Sequence, residues 1–200
     1  MKTYPTISKV YRWDISLHIF SKLDGSNIRC EWSPKQGFYK FGSRHQLIDK
    51  DSQFNQAIDL IKSKYEDDLS EIFLRLKYKS AVAFFEYFGP NSFAGQHDFK
   101  SMDVVLFDVN PFNIGIISPE EFVDNYGHLH IPNILHKGYL TEEIVKMIKS
   151  STLPGMPEEG VVAKGVDGGK LVMFKIKSNA WLDRLRVQCG DDDRLFEKLS

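Results

Sequence analysis

Cysteine is scarce in this 200-residue sequence, which has only Cys30 and Cys189. Two isolated cysteines match no disulfide framework and no metal-binding spacing, so the sequence argues against a small secreted scaffold and for a reducing, intracellular setting. Long apolar runs are also missing: none approaches the roughly 18 residues that a membrane helix needs, and the N-terminus has no signal-peptide stretch. We therefore expect a soluble, cytoplasmic protein that does not contact membranes.

An excess of charge of one sign is also missing. The chain has 26 basic and 27 acidic residues, for a net charge of −1. This balance excludes a wholly basic nucleic-acid coat protein, so any contact with nucleic acid must come from a local patch. The hydrophobic fraction of 42% and the charged fraction of 26% are ordinary for a globular protein. No low-complexity linker divides the chain, and we predict one domain spanning residues 1–200.

Hydrophobic patterns predict a mixture of strands and helices without an internal repeat, which indicates an α+β fold. Alternation and β-branched content predict strands at 14–21, 27–33, 81–87, 102–110, 160–166 and 170–177. Helical spacing and caps predict helices at 53–65, 69–78, from Ser118-Pro119 onward, 141–150 and 179–188. We expect strand 14–21 to form a hairpin with 27–33 around Asp24-Gly25, and strand 160–166 to form one with 170–177.

Five short motifs occur in a fixed order along the chain. They are Lys22-Leu-Asp24-Gly25, Phe84-Phe-Glu86-Tyr-Phe-Gly89, Val104-Val-Leu-Phe107-Asp108, Glu159-Gly-Val-Val-Ala-Lys164 and Phe174-Lys175-Ile-Lys177. A Lys-x-Asp-Gly stretch alone is weak, because three fixed positions recur by chance in about 5% of chains of this length. The order of all five motifs is the stronger signal.

Taken together, the motifs resemble those of the covalent nucleotidyltransferases, which include ATP-dependent RNA and DNA ligases and capping enzymes. Within that superfamily the chain most resembles the nick-sealing, ATP-dependent RNA ligases. The resemblance implies a nucleotidyltransferase (adenylation) domain of the ATP-grasp-like RNA/DNA ligase type, with antiparallel sheets flanked by helices. Only 23 residues follow Lys177, too few for a C-terminal oligonucleotide-binding (OB) barrel, so we expect no such barrel.

The resemblance makes Lys22 the nucleophile that attacks the α-phosphate of ATP to form a covalent lysyl-adenylate. A lysine amine is mostly protonated at neutral pH, and freeing it costs on the order of 4–5 kcal/mol. Lys175 and Lys177 occupy alternate positions, so their side chains lie on one face of a strand. If that face meets Lys22, the cations would lower the pKa of Lys22 and bind the α-phosphate as charge develops.

The remaining candidate residues take their roles from the resemblance. Glu159 would hold Mg²⁺ or Mn²⁺, since hard cations prefer carboxylate oxygens. Glu86 would accept hydrogen bonds from the ribose hydroxyls, and Phe107 would stack on adenine. Arg44 would contact a 5′-phosphate. Two further residues belong to the same nucleotide site: Asn27, which would contact the phosphate or the attacking strand end, and Lys164.

The implied reaction joins a 5′-phosphate end to a 3′-hydroxyl end of RNA, in single strands or at a nicked duplex, with ATP as co-substrate and RNA repair as the expected role. We expect neither the barrel nor a helical C-terminal domain, so substrate engagement could depend on a helper protein that supplies such a domain. Two enzymatic alternatives are a small ATP-dependent DNA ligase and a polynucleotide 5′-adenylyltransferase. A non-catalytic module that binds nucleic-acid ends is the alternative from another class.

Overall fold

The computed structural model describes residues 1–48 and 52–200. Its elements, in chain order, are β1 (Leu17–Lys22), β2 (Gly25–Ser33), β3 (Gly37–Ser43), α1 (Asn55–Arg75), β4 (Ala81–Phe88), β5 (Asn91–Ser92), β6 (Gly95–Gln96), β7 (Asp103–Pro111), α2 (Pro119–Tyr126), β8 (Ile134–Gly138), α3 (Glu142–Lys149), β9 (Gly160–Asp167), β10 (Lys170–Lys177), α4 (Asn179–Cys189) and α5 (Asp193–Leu199). The fold is therefore α+β with antiparallel sheets and helices, as predicted. No helix in these described ranges is both long and apolar enough to cross a membrane.

The backbone divides into two compact units, each built from three segments of the chain. Unit 1 contains Met1–Pro5, Gly25–Phe88 and Met102–Ile131, and unit 2 contains Thr6–Asp24, Gly89–Ser101 and Pro132–Ser200. The prediction that residues 1–200 form a single domain stays a prediction.

Unit 1 is built on a four-stranded antiparallel sheet in the order β3-β2-β4-β7, with α1 packed on one face. The two helices predicted at 53–65 and 69–78 are one helix, and this part of the prediction was wrong. The intervening residues contain no glycine or proline, and buried side chains continue at spacings of three and four residues from Ala57 through Tyr65 to Phe73. Helix α1 therefore runs without interruption along the sheet.

Unit 2 is built on a second four-stranded antiparallel sheet in the order β10-β9-β1-β8. One face of this sheet is apolar and packs against α3. Its buried core consists of Ile15, Leu17, Ile19, Leu140, Val145, Ile148, Leu153, Val161, Ala163, Phe174 and Ile176. Because side chains alternate across a strand, the residues between these positions, including Lys22, Lys175 and Lys177, lie on the opposite face.

The predicted hairpin between strands 14–21 and 27–33 was wrong. Strand β1 pairs with β8 and β9, whereas β2 pairs with β3 and β4. Gly25 already belongs to β2, opposite Phe88, and a Cβ there would lie 2.3 Å from the Tyr87 carbonyl oxygen. Asp24-Gly25 is thus the point where the chain leaves one sheet and enters the other.

The hairpin of β9 and β10 is confirmed, with Asp167 opposite Lys170 across the turn. The predicted helix starts are also confirmed, because Ser118 Oγ accepts a hydrogen bond from the Glu121 amide and Thr141 Oγ1 accepts one from the Ile144 amide. The sequence patterns missed β3, β8, the short β5–β6 hairpin and α5.

Candidate active site

Lys22 is the last residue of β1, and its side chain forms an ion pair with Glu159. The Lys22 Nζ donates to Glu159 Oε2 at 2.8 Å. Lys22 lies opposite Gly160 across the β1–β9 ladder, so Glu159 immediately precedes its partner position. The Glu159 side chain is 3% exposed and the Lys22 side chain 22%. A carboxylate that is nearly closed to water thus holds an amine that remains partly accessible.

The same carboxylate contacts Lys177 through its other oxygen. The distance from Lys177 Nζ to Glu159 Oε1 is 3.0 Å, and Lys177 faces Gly160 from the other side of β9. A side chain at Gly160 would not fit, because its φ is +137° and a Cβ would lie 2.2 Å from the Ile176 carbonyl oxygen. Glycine here allows β10 to approach closely, so that Glu159 bridges Lys22 and Lys177.

Lys175 completes a group of three lysines on this face of the sheet. Burial, together with the charges of Lys177, Lys22 and Lys9, lowers the pKa of Lys175 to about 8. Burial also lowers the pKa of Lys177 to about 8, against the opposing effect of Glu159. The lysines are close enough to influence one another electrostatically.

Lys175 and Lys177 also donate hydrogen bonds to backbone oxygens. The Lys175 Nζ donates to the Ser200 carbonyl at 2.6 Å, and the Lys177 Nζ donates to the Leu199 carbonyl at 2.6 Å. The Lys9 Nζ donates to Ser200 Oγ at 3.0 Å. The ammonium groups of Lys175 and Lys177 therefore both donate to oxygen acceptors.

Lys164 lies on β9 on the same face as Lys22. It is 4% exposed, and its Nζ is 5.2 Å from the centre of the Phe20 ring. His18 is opposite Lys164 in the ladder and stacks on Phe20, with 6.2 Å between ring centres and 18° between ring planes. Five residues predicted for the site, Lys22, Glu159, Lys164, Lys175 and Lys177, thus belong to unit 2.

Asn27 and Glu86 belong to unit 1, where they are directly opposed on β2 and β4. The Asn27 Oδ1 is buried and has no hydrogen-bond partner within residues 1–48 and 52–200. Both side chains project from the sheet face opposite to Ile28 and Phe85, which are buried in the core. Their predicted roles towards ribose and phosphate stay predictions.

Phe107 is a half-buried residue of β7 at a bulge in the pairing with β4. Its ring meets Tyr4 edge-to-face at 4.9 Å and lies nearly parallel to Phe84, at 6.3 Å between centres. Tyr4 in turn donates a short hydrogen bond to Asp108. Stacking of Phe107 on adenine stays a prediction.

Arg44 is exposed in the turn that follows β3. A hydrogen bond of 2.9 Å from the Ser43 amide to the Gln46 carbonyl closes this turn. The contact of Arg44 with a 5′-phosphate also stays a prediction.

A group of residues around Asp24 was not predicted from the sequence. The Asp24 Oδ2 accepts hydrogen bonds from Ser92 Oγ at 2.5 Å and Trp181 Nε1 at 3.0 Å, and lies 3.1 Å from His97 Nε2. Trp181 also places its ring 3.7 Å from the Lys177 Nζ. The position of Trp181, four residues after Lys177, was a usable signal. Nothing in the local sequence points to Ser92 or His97.

The donor set around Lys22 fits a divalent cation only if substrate oxygens complete its coordination. Across residues 1–48 and 52–200, no group of three or more His, Cys, Asp or Glu side chains could hold a metal ion. Mg²⁺ is commonly bound by one or two carboxylates together with water and phosphate oxygens. Glu159 can supply one such carboxylate, in competition with the two ammonium groups that it now contacts.

Several solved structures of RNA ligase from Naegleria gruberi have the same fold. One solved with pyrophosphate has a TM-score of 0.62 at 20% sequence identity, covering 92% of this chain and 60% of that chain. A lysine-to-alanine mutant with ATP and Mn has a TM-score of 0.61 at 20% identity, covering 86% of this chain and 52% of that one. An aspartate-to-alanine mutant in its apo form has a TM-score of 0.62 at 20% identity.

These likenesses show that the chain shares the fold of these RNA ligases. The chain spans between 52% and 60% of the length of the ligase chains that it matches. No family model matches the sequence, and no curated protein matches it.

Proposed function

We propose that this protein is an ATP-dependent RNA ligase that acts through a covalent lysyl-AMP on Lys22. The observation that carries the proposal is the carboxylate of Glu159, which bridges Lys22 and Lys177 with Lys175 beside them on one face of a sheet. A nucleophile, cations for a phosphate and a carboxylate for a divalent cation are thereby gathered at one place, in a fold shared with RNA ligases.

In the first step, the neutral Lys22 amine attacks the α-phosphorus of ATP. A bond forms between Nζ and phosphorus, the bond from phosphorus to the bridging oxygen breaks, and pyrophosphate leaves with that electron pair, while the attacking nitrogen releases one proton to solvent. The ammonium groups of Lys175 and Lys177 would stabilise the negative charge that develops on the phosphate oxygens. Their present acceptors, the carbonyls of Ser200 and Leu199, would give way to these oxygens.

Lys22 must lose a proton before it can attack. The Glu159 carboxylate at 2.8 Å favours the ammonium form, whereas the neighbouring lysines favour the neutral amine. The balance moves towards the amine when the negative charge of Glu159 is engaged elsewhere. Glu159 would hold Mg²⁺ or Mn²⁺, whose positive charge would supply that neutralisation and would offset the negative charge of the phosphates.

In the second and third steps, a 5′-phosphate oxygen attacks the α-phosphorus and the 3′-hydroxyl then displaces AMP. The second step breaks the bond from Nζ to phosphorus and returns Lys22 to its starting form. Glu86, Phe107, Asn27 and Arg44 keep the nucleotide- and strand-binding roles that the resemblance implies. Each step is an in-line displacement, for which positioning and electrostatics provide the catalysis. RNA ends are the proposed substrate, as single strands or at a nick.

Intact-mass measurement tests the proposal most simply. The native protein, incubated with ATP and Mg²⁺, should gain the mass of one AMP. Addition of 5′-phosphorylated RNA with a 3′-hydroxyl end should remove that mass and yield joined strands. Lys22→Ala should gain nothing while keeping the native unfolding temperature, and Lys170→Ala, an exposed lysine of the same hairpin, should behave as the native protein.

The other outcomes identify the alternatives. Joined DNA in place of RNA would indicate a DNA ligase, and 5′-adenylated strands that are never joined would indicate an adenylyltransferase. Nucleotide binding without any gain of AMP would indicate a non-catalytic module that binds nucleic-acid ends. Joining that appears only after a cell extract is added would indicate a helper protein.

A further inference from the structure

Trp181 is a buried residue in the first turn of α4, and its position is fixed by the local backbone. Ser178 caps this helix by accepting a hydrogen bond from the Trp181 amide at 3.1 Å. The Ser178 amide donates to the Glu159 carbonyl at 3.0 Å, and its hydroxyl donates to the Glu158 carbonyl. The start of α4 is therefore attached to the segment that carries Glu159. Trp181 is 3% exposed, so its ring has little freedom to move.

The indole of Trp181 makes two different polar contacts. Its ring face lies against the ammonium group of Lys177, with 3.7 Å from Nζ to the ring centre. Its Nε1 donates to Asp24 Oδ2 at 3.0 Å. Asp24 is two residues after Lys22, so one side chain contacts both the lysine of β10 and the turn that follows the proposed nucleophile.

Asp24 is itself held firmly at the other end of this contact. Its Oδ2 accepts from Ser92 Oγ and lies within hydrogen-bond distance of His97 Nε2. His97 Nδ1 is 3.1 Å from Glu158 Oε2, which Arg184 also contacts. The turn after Lys22 is thus connected through hydrogen bonds to the β5–β6 segment and to α4.

An aromatic face has an advantage as a contact for Lys177. A cation is attracted to the whole face of an indole, so the interaction does not require a particular hydrogen of the ammonium group. Hydrogen bonds to Glu159 and Leu199 can therefore be exchanged for bonds to phosphate oxygens while the ring keeps the nitrogen in place. Such a fixed cation is what an in-line phosphoryl transfer requires.

We propose that Trp181 is a positioning residue. Its indole holds the Lys177 ammonium group and the Asp24 turn in the positions that AMP transfer requires. The consequence for AMP transfer depends on the proposed function, whereas the placement of Lys177 by the indole does not. Trp181 touches neither ATP nor the reacting atoms in this account.

Two substitutions separate the two contacts of Trp181. Trp181→Phe keeps an aromatic face for Lys177 but removes the N–H that binds Asp24. Trp181→Leu removes both contacts while filling part of the same volume. Trp13→Phe, at an exposed tryptophan of the same unit (45% exposed), is the matched control. Thermal unfolding of each variant identifies any that is merely unfolded.

The first readout is independent of any enzymatic activity. Protons next to the Lys177 Nζ lie over the indole face, so their NMR resonances should be shifted upfield by the ring current. The signal is assigned by its loss in Lys177→Arg. The upfield shift should persist in part in Trp181→Phe and disappear in Trp181→Leu, while Trp13→Phe leaves it unchanged. A native protein without the shift would overturn the proposal.

The second readout is the rate of AMP loading as a function of ATP concentration. Because misplacing a catalytic group by about 1 Å can cost up to about 100-fold, Trp181→Leu should load AMP about tenfold or more slowly. The ATP concentration at half-saturation should change little. Trp181→Phe should recover part of the lost rate. A folded Trp181→Leu protein that loads AMP at the native rate would overturn the proposal.

A native protein that shows the ring-current shift but never forms lysyl-AMP gives a third, distinct result. It would overturn the proposed function and with it the role of Trp181 in AMP transfer, and it would leave the placement of Lys177 by the indole established.

Discussion

The two faces of the β10-β9-β1-β8 sheet are built from the same strands and differ in what they bury. One face carries aliphatic and aromatic side chains packed on α3, where burial itself is stabilising. The other carries Lys22, Lys164, Lys175 and Lys177 beside Glu159, where burial opposes the charged forms. Burial is therefore stabilising for Ile176, whereas it opposes the charged form of its neighbour Lys175.

The lysine face therefore does not stabilise the fold. Burial lowers the pKa of both Lys175 and Lys177, so the folded protein holds their charges at a cost in free energy. A fold keeps such a cost where a function requires it. Substitutions on one face at a time can therefore separate an effect on activity from an effect on stability.

The largest effect is expected for Glu159→Gln. The amide cannot form ion pairs with Lys22 and Lys177, and it is a poorer ligand for a divalent cation. The rate of AMP loading should fall about 100-fold, a magnitude typical for the loss of one preorganised polar group. Quantitative mass spectrometry of the AMP adduct over time measures this. Glu143→Gln, an exposed residue of α3, is the control. A Glu159→Gln variant with native loading would remove Glu159 from the site.

Lys175→Met should change activity and stability in opposite directions. Methionine keeps the aliphatic stem but removes a charge whose pKa is lowered by burial and by the neighbouring lysines. AMP loading should fall about tenfold or more, and the unfolding temperature at pH 7 should rise. Lys170→Met, on the exposed end of β10, should change neither by much. A Lys175→Met variant that is destabilised at pH 7 would contradict the argument that this face is held at a cost.

Ile176→Val tests the opposite face between the two lysines. Ile176 is 1% exposed and belongs to the apolar core. Removing one buried methylene group should lower the free energy of unfolding by about 0.5–1.5 kcal/mol. Chemical denaturation measures this loss. The rate of AMP loading should be unchanged at temperatures where the variant is folded, and a large fall would show that the two faces are not separable.

The smallest effect is the pH dependence of stability. Lys175 and Lys177 have pKa values of about 8 when folded, against an ordinary value of 10.5. Between these values the unfolded chain binds more protons, so stability should rise with pH from about 8 towards 10. Above that range Tyr4, whose pKa burial raises, acts in the opposite direction. Denaturation midpoints across pH 7–10 measure the slope, which should be smaller in Lys175→Met. An equal slope in that variant would show that Lys175 does not titrate as described.

Sequence patterns predicted the β9–β10 hairpin of unit 2 because alternation was strong there. The spacing of Lys175 and Lys177 placed both on one face, and the β9–β10 hairpin followed from Asp167-Gly168-Gly169. The partners of β1 were not predictable in the same way. Pairing depends on which distant strand covers a buried face, and β8, a five-residue strand with two polar residues, carries little pattern of its own.

The site shows the same division between local and distant information. Lys22 and Glu159 were chosen from motifs, but their distance of 2.8 Å depends on the pairing of β1 with β9, which places Lys22 opposite Gly160. The contact of Trp181 with Asp24 joins residues 157 positions apart, and no local rule links them. The charged residues could therefore be identified from the local sequence, whereas the contacts between them depend on the tertiary structure.

The most direct test of the account is to locate the AMP on the native protein. After incubation with ATP and Mg²⁺, proteolysis and peptide mass mapping under non-acidic conditions would identify the modified residue, since a phosphoramidate is acid-labile. The account predicts AMP on Lys22 alone, with Lys164, Lys175 and Lys177 unmodified. AMP on one of those three lysines, or on none of the four while ATP still binds, would contradict it.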